Sequence, residues 1–170
     1  HLVKAVKMLD RIEGSINAKE ERFKDWYSLH FPEFIDEVED IEHIARILDS
    51  NVQKNDLDSF KKMAENSNGA DMTEKEEEII QKVLKNLQSD IEVKSDLEDY
   101  IEDLVKEEMP NLDILLGTFL AARIVALAGG LEEMAKKPAS TIQMLGAEKA
   151  LFRHLRGNGA APKHGALFEH

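Results

Sequence analysis

The sequence predicts an all-α fold, a long antiparallel coiled-coil hairpin joined to a small helical head. Three observations carry this expectation. Apolar residues recur at helical spacing along nearly the whole chain, and no stretch shows the alternation of a half-buried strand. From Phe34 the apolar positions Phe34, Val38, Ile41, Ala45, Leu48 and Val52 step 4-3-4-3-4, a heptad seam. A turn-rich segment, residues 65–71, separates that seam from a second long amphipathic run, and two long helices joined by a short turn pack antiparallel.

Taken in order, Leu2, Val6, Leu9, Ile12 and Ile16 give a first amphipathic helix that continues through Phe23 to Trp26 and Tyr27. Phe31-Pro32 ends it, because a residue before proline avoids the helical region. Trp26, Tyr27 and Phe31 read as a packing plug at the root of the hairpin in preference to a stacking platform. Thr73 with Glu76 forms a capping box, and Glu77 and Glu78 suit the same first turn. The helix they open runs to Met109, where Pro110 stops it; its roughly 37 residues make it about 55 Å long. Ile44, Ile47, Ile79, Val83 and Leu87 widen the apolar faces beyond one partner, so they are expected at a homodimer contact. Beyond Pro110 the run 111–128 is small, apolar and Ala-rich, and Gly129-Gly130 ends it. Pro138 opens a further helix that Gly146 interrupts, and a last helix spans 147–156. The expected domains are 1–32, a helix and aromatic junction packing on the head; 33–109, the dimerising hairpin; and 110–170, the head.

Composition narrows the function. The chain has 170 residues and a formal charge of −12, with 22 Lys and Arg against 34 Asp and Glu. The charge is uneven. Residues 1–110 hold 15 basic against 29 acidic groups, while between Met134 and Phe168 six basic residues face one acid. A local cation cluster still binds phosphate in an acidic protein, because charge is screened beyond roughly 10 Å. Cysteine is absent, which excludes disulfides and cysteine-ligated metals. The apolar run 114–128 is short for a bilayer and carries Arg123, so a buried helix is expected and no membrane contact. No metal site is expected: His30, His43, His154 and His164 lack ligand spacing. No nucleophile–base pair, phosphate loop or carboxylate dyad is visible, so neither catalysis nor a cofactor is expected. The chain opens inside a helical pattern without Met and stops after an apolar run, which reads as a fragment of something longer.

In the last helix Lys149, Arg153 and Arg156 stand at i, i+4 and i+7, on one face. Leu151, Leu155 and partly Phe152 fall on another and are expected to dock on the apolar helix 114–128. Gly146 lets backbone approach just before a helix N-terminus, where N–H groups and the dipole favour phosphate. Lys163 and His164, between Pro162 and Gly165, would add cations on a nearby loop. From spacing alone an ordinary solvated face is an equal reading.

The wording adds more. The run from Lys137 to Arg153, KPASTIQMLGAEKALFR, followed by Pro162-Lys163-His164-Gly165, resembles the Nop domain of the core protein of box C/D ribonucleoprotein particles. Asp25-Trp26-Tyr27-Ser28-Leu29-His30-Phe31-Pro32-Glu33 is similar to the same family's segment ahead of its coiled coil, and Pro110-Asn111-Leu112 and Ala128-Gly129-Gly130-Leu131 fit it. The spliceosomal branch lacks the Lys-Ala-Leu-Phe-Arg wording of 149–153, so the box C/D branch in its archaeal form is favoured. Gly159-Ala160-Ala161 departs from the more polar or proline-rich loop expected there.

The resemblance implies a non-catalytic scaffold for RNA-guided RNA 2′-O-methylation. Its partners would be a box C/D guide RNA with a kink-turn, the kink-turn-binding protein, a second copy through the coiled coil, and fibrillarin through a domain outside this chain. The location would be cytoplasmic in an archaeon and nucleolar in a eukaryote. Gly146, Ala147, Glu148 and Lys149 match the family's recognition loop and helix start. Lys149 and Arg153 would meet phosphates, with His154, Arg156, Lys163 and His164 as neighbours. Glu148 would accept from the partner protein, accept from a base amine, or cap its helix. A coiled-coil adaptor whose basic head meets an acidic protein is the alternative.

Overall fold

The computed structural model describes residues 1–157, 160, 162 and 165–169. It is all-α, with no strand among the described residues. The helices are α1 (Leu2–Tyr27), α2 (Pro32–Glu37), α3 (Ile41–Ile47), α4 (Lys61–Glu65), α5 (Glu74–Glu108), α6 (Pro110–Leu116), α7 (Thr118–Ala128), α8 (Leu131–Ala135), α9 (Ala139–Gln143) and α10 (Glu148–Leu155). No single described helix is long and apolar enough to cross a membrane. The contacts divide the chain into two compact units, one of Ile12–Ser95 and one of His1–Arg11 with Asp96–His170. This differs from the division at 32 and 109 expected from sequence, because α1 and α5 each contribute residues to both units.

In the unit Ile12–Ser95, α5 opens with the predicted capping box. The Thr73 hydroxyl donates to Glu76 at 2.7 Å, and the Glu76 N–H donates to Thr73 Oγ1 at 3.3 Å. Two segments pack antiparallel on α5: the seam 34–52, where Glu42 meets Lys94 and Asp49 meets Gln88, and α1, where Ser15 bonds Asp90 while Lys19 reaches both Asn86 and Asp90. The seam also meets α5 through Gln88 to the Ala45 carbonyl at 2.8 Å, but it is not one helix. It breaks at Val38–Asp40, where Val38 leaves the helical region and the Asp40 carboxylate accepts the His43 N–H at 2.8 Å. It breaks again after α3, where Asn51 Oδ1 accepts from the Gln53 N–H. These short polar side chains offer the backbone a local alternative to helix. Every seam residue is buried all the same, so the spacing identified the core-facing positions and mistook the continuity.

Two residues expected at a dimer contact lie in this core instead. Ile44 and Leu87 are both 0% exposed and pack in one cluster with Phe34, Leu48 and Leu84. Ile47 and Val83 are half-buried at its edge, and Ile79 is 39% exposed. Of the aromatic plug, Tyr27 and Phe31 are fully buried, Phe23 stacks on Tyr27 at 5.6 Å and Phe34 meets Phe60 edge-on at 5.0 Å. Trp26 is exposed and stands outside it.

His30 joins the end of α1 to the turn before α5. Its Nδ1 lies 2.7 Å from the Ala70 carbonyl, and its Nε2 accepts the Lys54 N–H at 3.1 Å. A carbonyl only accepts and an N–H only donates, so one neutral tautomer satisfies both. Gly69 is required beside it, since a Cβ there would sit 1.9 Å from the His30 carbonyl oxygen. Lys54, 5% exposed, closes the joint by donating to the Gly69 carbonyl at 2.6 Å.

In the other unit Leu2, Val6 and Leu9 share a core with Ile101, Val105, Ala121, Ala122 and Val125. The apolar run expected as one helix is split. At Gly117, φ +78, the chain bends by 114° between α6 and α7. The buried face of α7 is built from alanines and β-branched residues, which let helices approach closely.

Burial holds the His30 pKa below its ordinary value, with the Lys54 charge acting the same way and the Ala70 bond, Asp71 and Glu76 opposing. The unfolded chain takes up a proton near pH 6.5 and the folded ring resists it, so stability is full above about pH 6.5 and falls as pH drops through that value. Melting curves between about pH 7.5 and about pH 5 will show Tm falling across this window, and His30→Gln will flatten the dependence. A wild-type Tm constant over the same range contradicts the joint.

Candidate nucleic-acid interface

The basic segment rests on α7. Gly129 (φ +96) and Gly130 (φ +135) end that helix, with the Gly130 N–H returning to the Val125 carbonyl at 2.9 Å. After α8, Pro138 stands at the cap of the short α9. Leu145 then drops into a core with Ile124, Ala128, Ile142, Ala166 and Leu167. The next residue, Gly146, takes φ +85, a left-handed backbone that only glycine adopts freely.

A strap from further along the chain holds this turn. The Gly165 N–H donates to the Gln143 carbonyl at 2.8 Å and the Ala166 N–H to the Leu145 carbonyl at 2.7 Å. Any Cβ at Gly165 would fall 1.9 Å from the Leu145 oxygen. A Cβ at Gly146 would meet Ala166 Cβ at 3.3 Å and Leu127 at 3.4 Å. The close approach expected at Gly146 is thus made to the chain's own strap. Sequence reasoning treated Gly165 only as a flank of Lys163-His164.

Helix α10 leaves directly from this turn. The Gly146 N–H donates to Glu148 Oε1 at 2.9 Å, a bond to the turn ahead of the N-cap Ala147. Ala147 is the cap residue and is half-buried. Lys149, Arg153 and Arg156 are all exposed, as the i, i+4, i+7 spacing requires, and His154 is exposed beside them. None of the three cations pairs with a described residue. Some cations elsewhere are matched internally, as Lys136 with Glu132 and Glu133, Lys19 with Asp90 and Lys24 with Glu20, while others such as Lys7, Lys62 and Lys85 are exposed like these three. Lys163 and His164 lie outside the described residues.

The apolar side of α10 departs from expectation. Leu151 is half-buried, but Phe152 is 60% and Leu155 68% exposed. The turn and strap hold α10 at its N-terminal end, and Leu155 stands seven residues, about 10 Å, further along. Between α7 and the start of α10 lies an open cleft of about 660 Å³, lined by Val6, Asp10, Arg123, Ala126, Gly146 and Ala150 among others. Asp10 and Arg123 were not singled out for this place. They come from separate elements, and the only signal was one charge inside the apolar run 114–128. Among the described residues no group of His, Asp and Glu is arranged to hold a metal ion.

Comparison with known proteins bears on this surface. The family model Nop, described as a snoRNA binding domain, fibrillarin, matches residues 8–170. A NOP5 family protein of Methanocaldococcus jannaschii is 36% identical over 183 residues, covering 99% of this chain and 44% of that protein. Nucleolar protein 58 of Scheffersomyces stipitis is 36% identical over 181 residues, covering 98% of this chain and 35% of its own length. Nucleolar protein 58 of Neurospora crassa is 34% identical over 181 residues, covering 98% and 30%. The chain therefore spans less than half the length of these relatives.

Replacing Gly146 by Ala forces a side chain into a left-handed backbone against Ala166 and Leu127. A loss of about 1–2 kcal/mol is expected from the backbone alone. Denaturant unfolding of Gly146→Ala will show it as a lower midpoint; an unchanged midpoint means the turn is not held as described.

Proposed function

The chain belongs to the Nop family, and from that premise we propose that it is the RNA- and partner-binding segment of a box C/D ribonucleoprotein scaffold, without catalysis of its own. The observation that carries this reading is the unpaired cationic face of α10. In a protein of net charge −12, Lys149, Arg153 and Arg156 are exposed on one face of a short helix, within a stretch from Met134 to Phe168 that holds six basic residues and one acid. Three cations on one face of a helix, held behind a strapped glycine turn, suit phosphate contact.

The ligand is a composite of a kink-turn guide RNA and its kink-turn-binding protein. Phosphates lie on Lys149 and Arg153, with Gly146, Ala147 and Glu148 at the helix start and His154 and Arg156 alongside. Lys163 and His164 join this set on the family wording alone. The exposed apolar pair Phe152 and Leu155 supports a protein half to the ligand, since RNA backbone offers such side chains little. Kinked shape, not a base code, supplies specificity. Fibrillarin belongs to the same reading as the partner of a further domain.

The test is a titration against kink-turn RNA preassembled with its protein, across salt concentrations. Lys149→Ala or Arg153→Ala will weaken binding and lower the salt slope by about one each. An unchanged slope counts against phosphate contact.

A homodimer is part of the proposal. With Ile44 and Leu87 in the core, the contact falls to exposed Ile79 with the half-buried Ile47 and Val83. Light scattering at micromolar concentration will show a dimer that Ile79→Glu dissolves while leaving the helical content intact. A dimer that survives Ile79→Glu places the contact elsewhere.

A further inference from the structure

Glu148 is out of place in its surroundings. It is the one acid between Met134 and Phe168, a stretch with six Lys and Arg. It sits in the first turn of α10, exposed, with its Oε1 2.9 Å from the Gly146 nitrogen. A helix start and an adjacent positive-φ turn are where a protein draws in an anion. Here a carboxylate already holds the Gly146 N–H and keeps a negative charge in the first turn of the helix that carries Lys149 and Arg153. Holding that N–H does not require the charge, because a neutral amide or hydroxyl oxygen would accept it too.

We propose that Glu148 is a specificity-determining residue, a charge filter that makes the α10 face reject bare phosphate backbone. Resting on the reading of α10 as a phosphate-contacting surface, the inference adds a repulsive element to the attractive one. A phosphate approaching the turn meets a like charge and finds the Gly146 N–H taken. A cognate ligand offsets the penalty by offering the carboxylate a hydrogen-bond donor, which a phosphate at neutral pH does not have. Lys149 and Arg153 thus supply attraction to any polyanion, and Glu148 removes part of it for every ligand lacking the donor. Specificity is a difference of affinities, and a built-in cost against the wrong ligand raises it as surely as a new contact to the right one.

Glu148→Gln separates the charge from the hydrogen bond, since the amide keeps an oxygen for the Gly146 N–H. Wild type, Glu148→Gln and Lys149→Ala are titrated against a naked DNA duplex, whose backbone lacks the 2′-hydroxyl donor of RNA, and against kink-turn RNA preassembled with its protein. Glu148→Gln is expected to bind the naked duplex about threefold tighter or more, as follows from removing one like charge some 6 Å from a phosphate in water. The gain shrinks at about 1 M salt, where the screening length is near 3 Å. Affinity for the assembled complex does not rise in step, so the ratio between the two ligands falls. Glu148→Ala, which cannot accept the Gly146 N–H, separates any loss of helix, read by circular dichroism, from the change in charge. If Glu148→Gln binds the naked duplex no tighter while Lys149→Ala binds it more weakly, the filter is overturned and the phosphate face stands. If neither substitution changes binding to either ligand, the phosphate face fails and the filter with it.

Discussion

Two backbone hydrogen bonds and two glycines place the basic helix. The strap Gly165-Ala166 lies against residues 143–145, and it does so because neither Gly146 nor Gly165 carries a Cβ. Remove that allowance and the turn at Gly146 opens, Leu145 loses its neighbours Ala166 and Leu167, and α10 has no fixed starting point. The helix has eight residues, too short to be stable in isolation. Its orientation is borrowed from α7 and the strap. The three cations of α10 therefore need no ion pair of their own to fix where the helix starts.

The same economy governs the other unit. A buried histidine, a buried lysine and a glycine make one joint between the end of α1 and the turn before α5. The polar groups are satisfied by backbone, and the aromatic cluster beside them is buried and closely packed. Among the described residues no buried side-chain nitrogen or oxygen lacks a partner. Each unit thus carries a point where a glycine admits another backbone and polar bonds lock it there.

How much of this was legible depends on the range of the interaction. Caps are local and were read well: Thr73 with Glu76, Pro110, Gly129-Gly130 and the bounds of α10 all stand within a residue or two of expectation. The seam 34–52 was half legible. Its 4-3-4-3-4 steps pick out buried residues whether or not the helix is continuous, and the local signals for a break, Asp40 and Asn51, were outweighed by the periodicity. Contacts between distant residues were not legible. His30 was weighed only as a metal ligand, because its partners Lys54 and Ala70 stand 24 and 40 residues away. Asp10 and Arg123 both line the cleft beside Gly146, though they stand more than a hundred residues apart in the chain. The exposure of Phe152 and Leu155 was missed because helical spacing says which residues share a face and not how far along the helix a neighbour reaches.

The central claim is that α10 and its flanking turn read an RNA and a protein together. Equilibrium titration of the chain against kink-turn RNA alone, the kink-turn protein alone, and the two preassembled tests it directly. The account predicts binding to the assembled complex at least about a hundredfold tighter than to either component, a coupling of roughly 2.7 kcal/mol. Equal affinity for naked RNA and for the complex, or no binding to the complex at all, would contradict it.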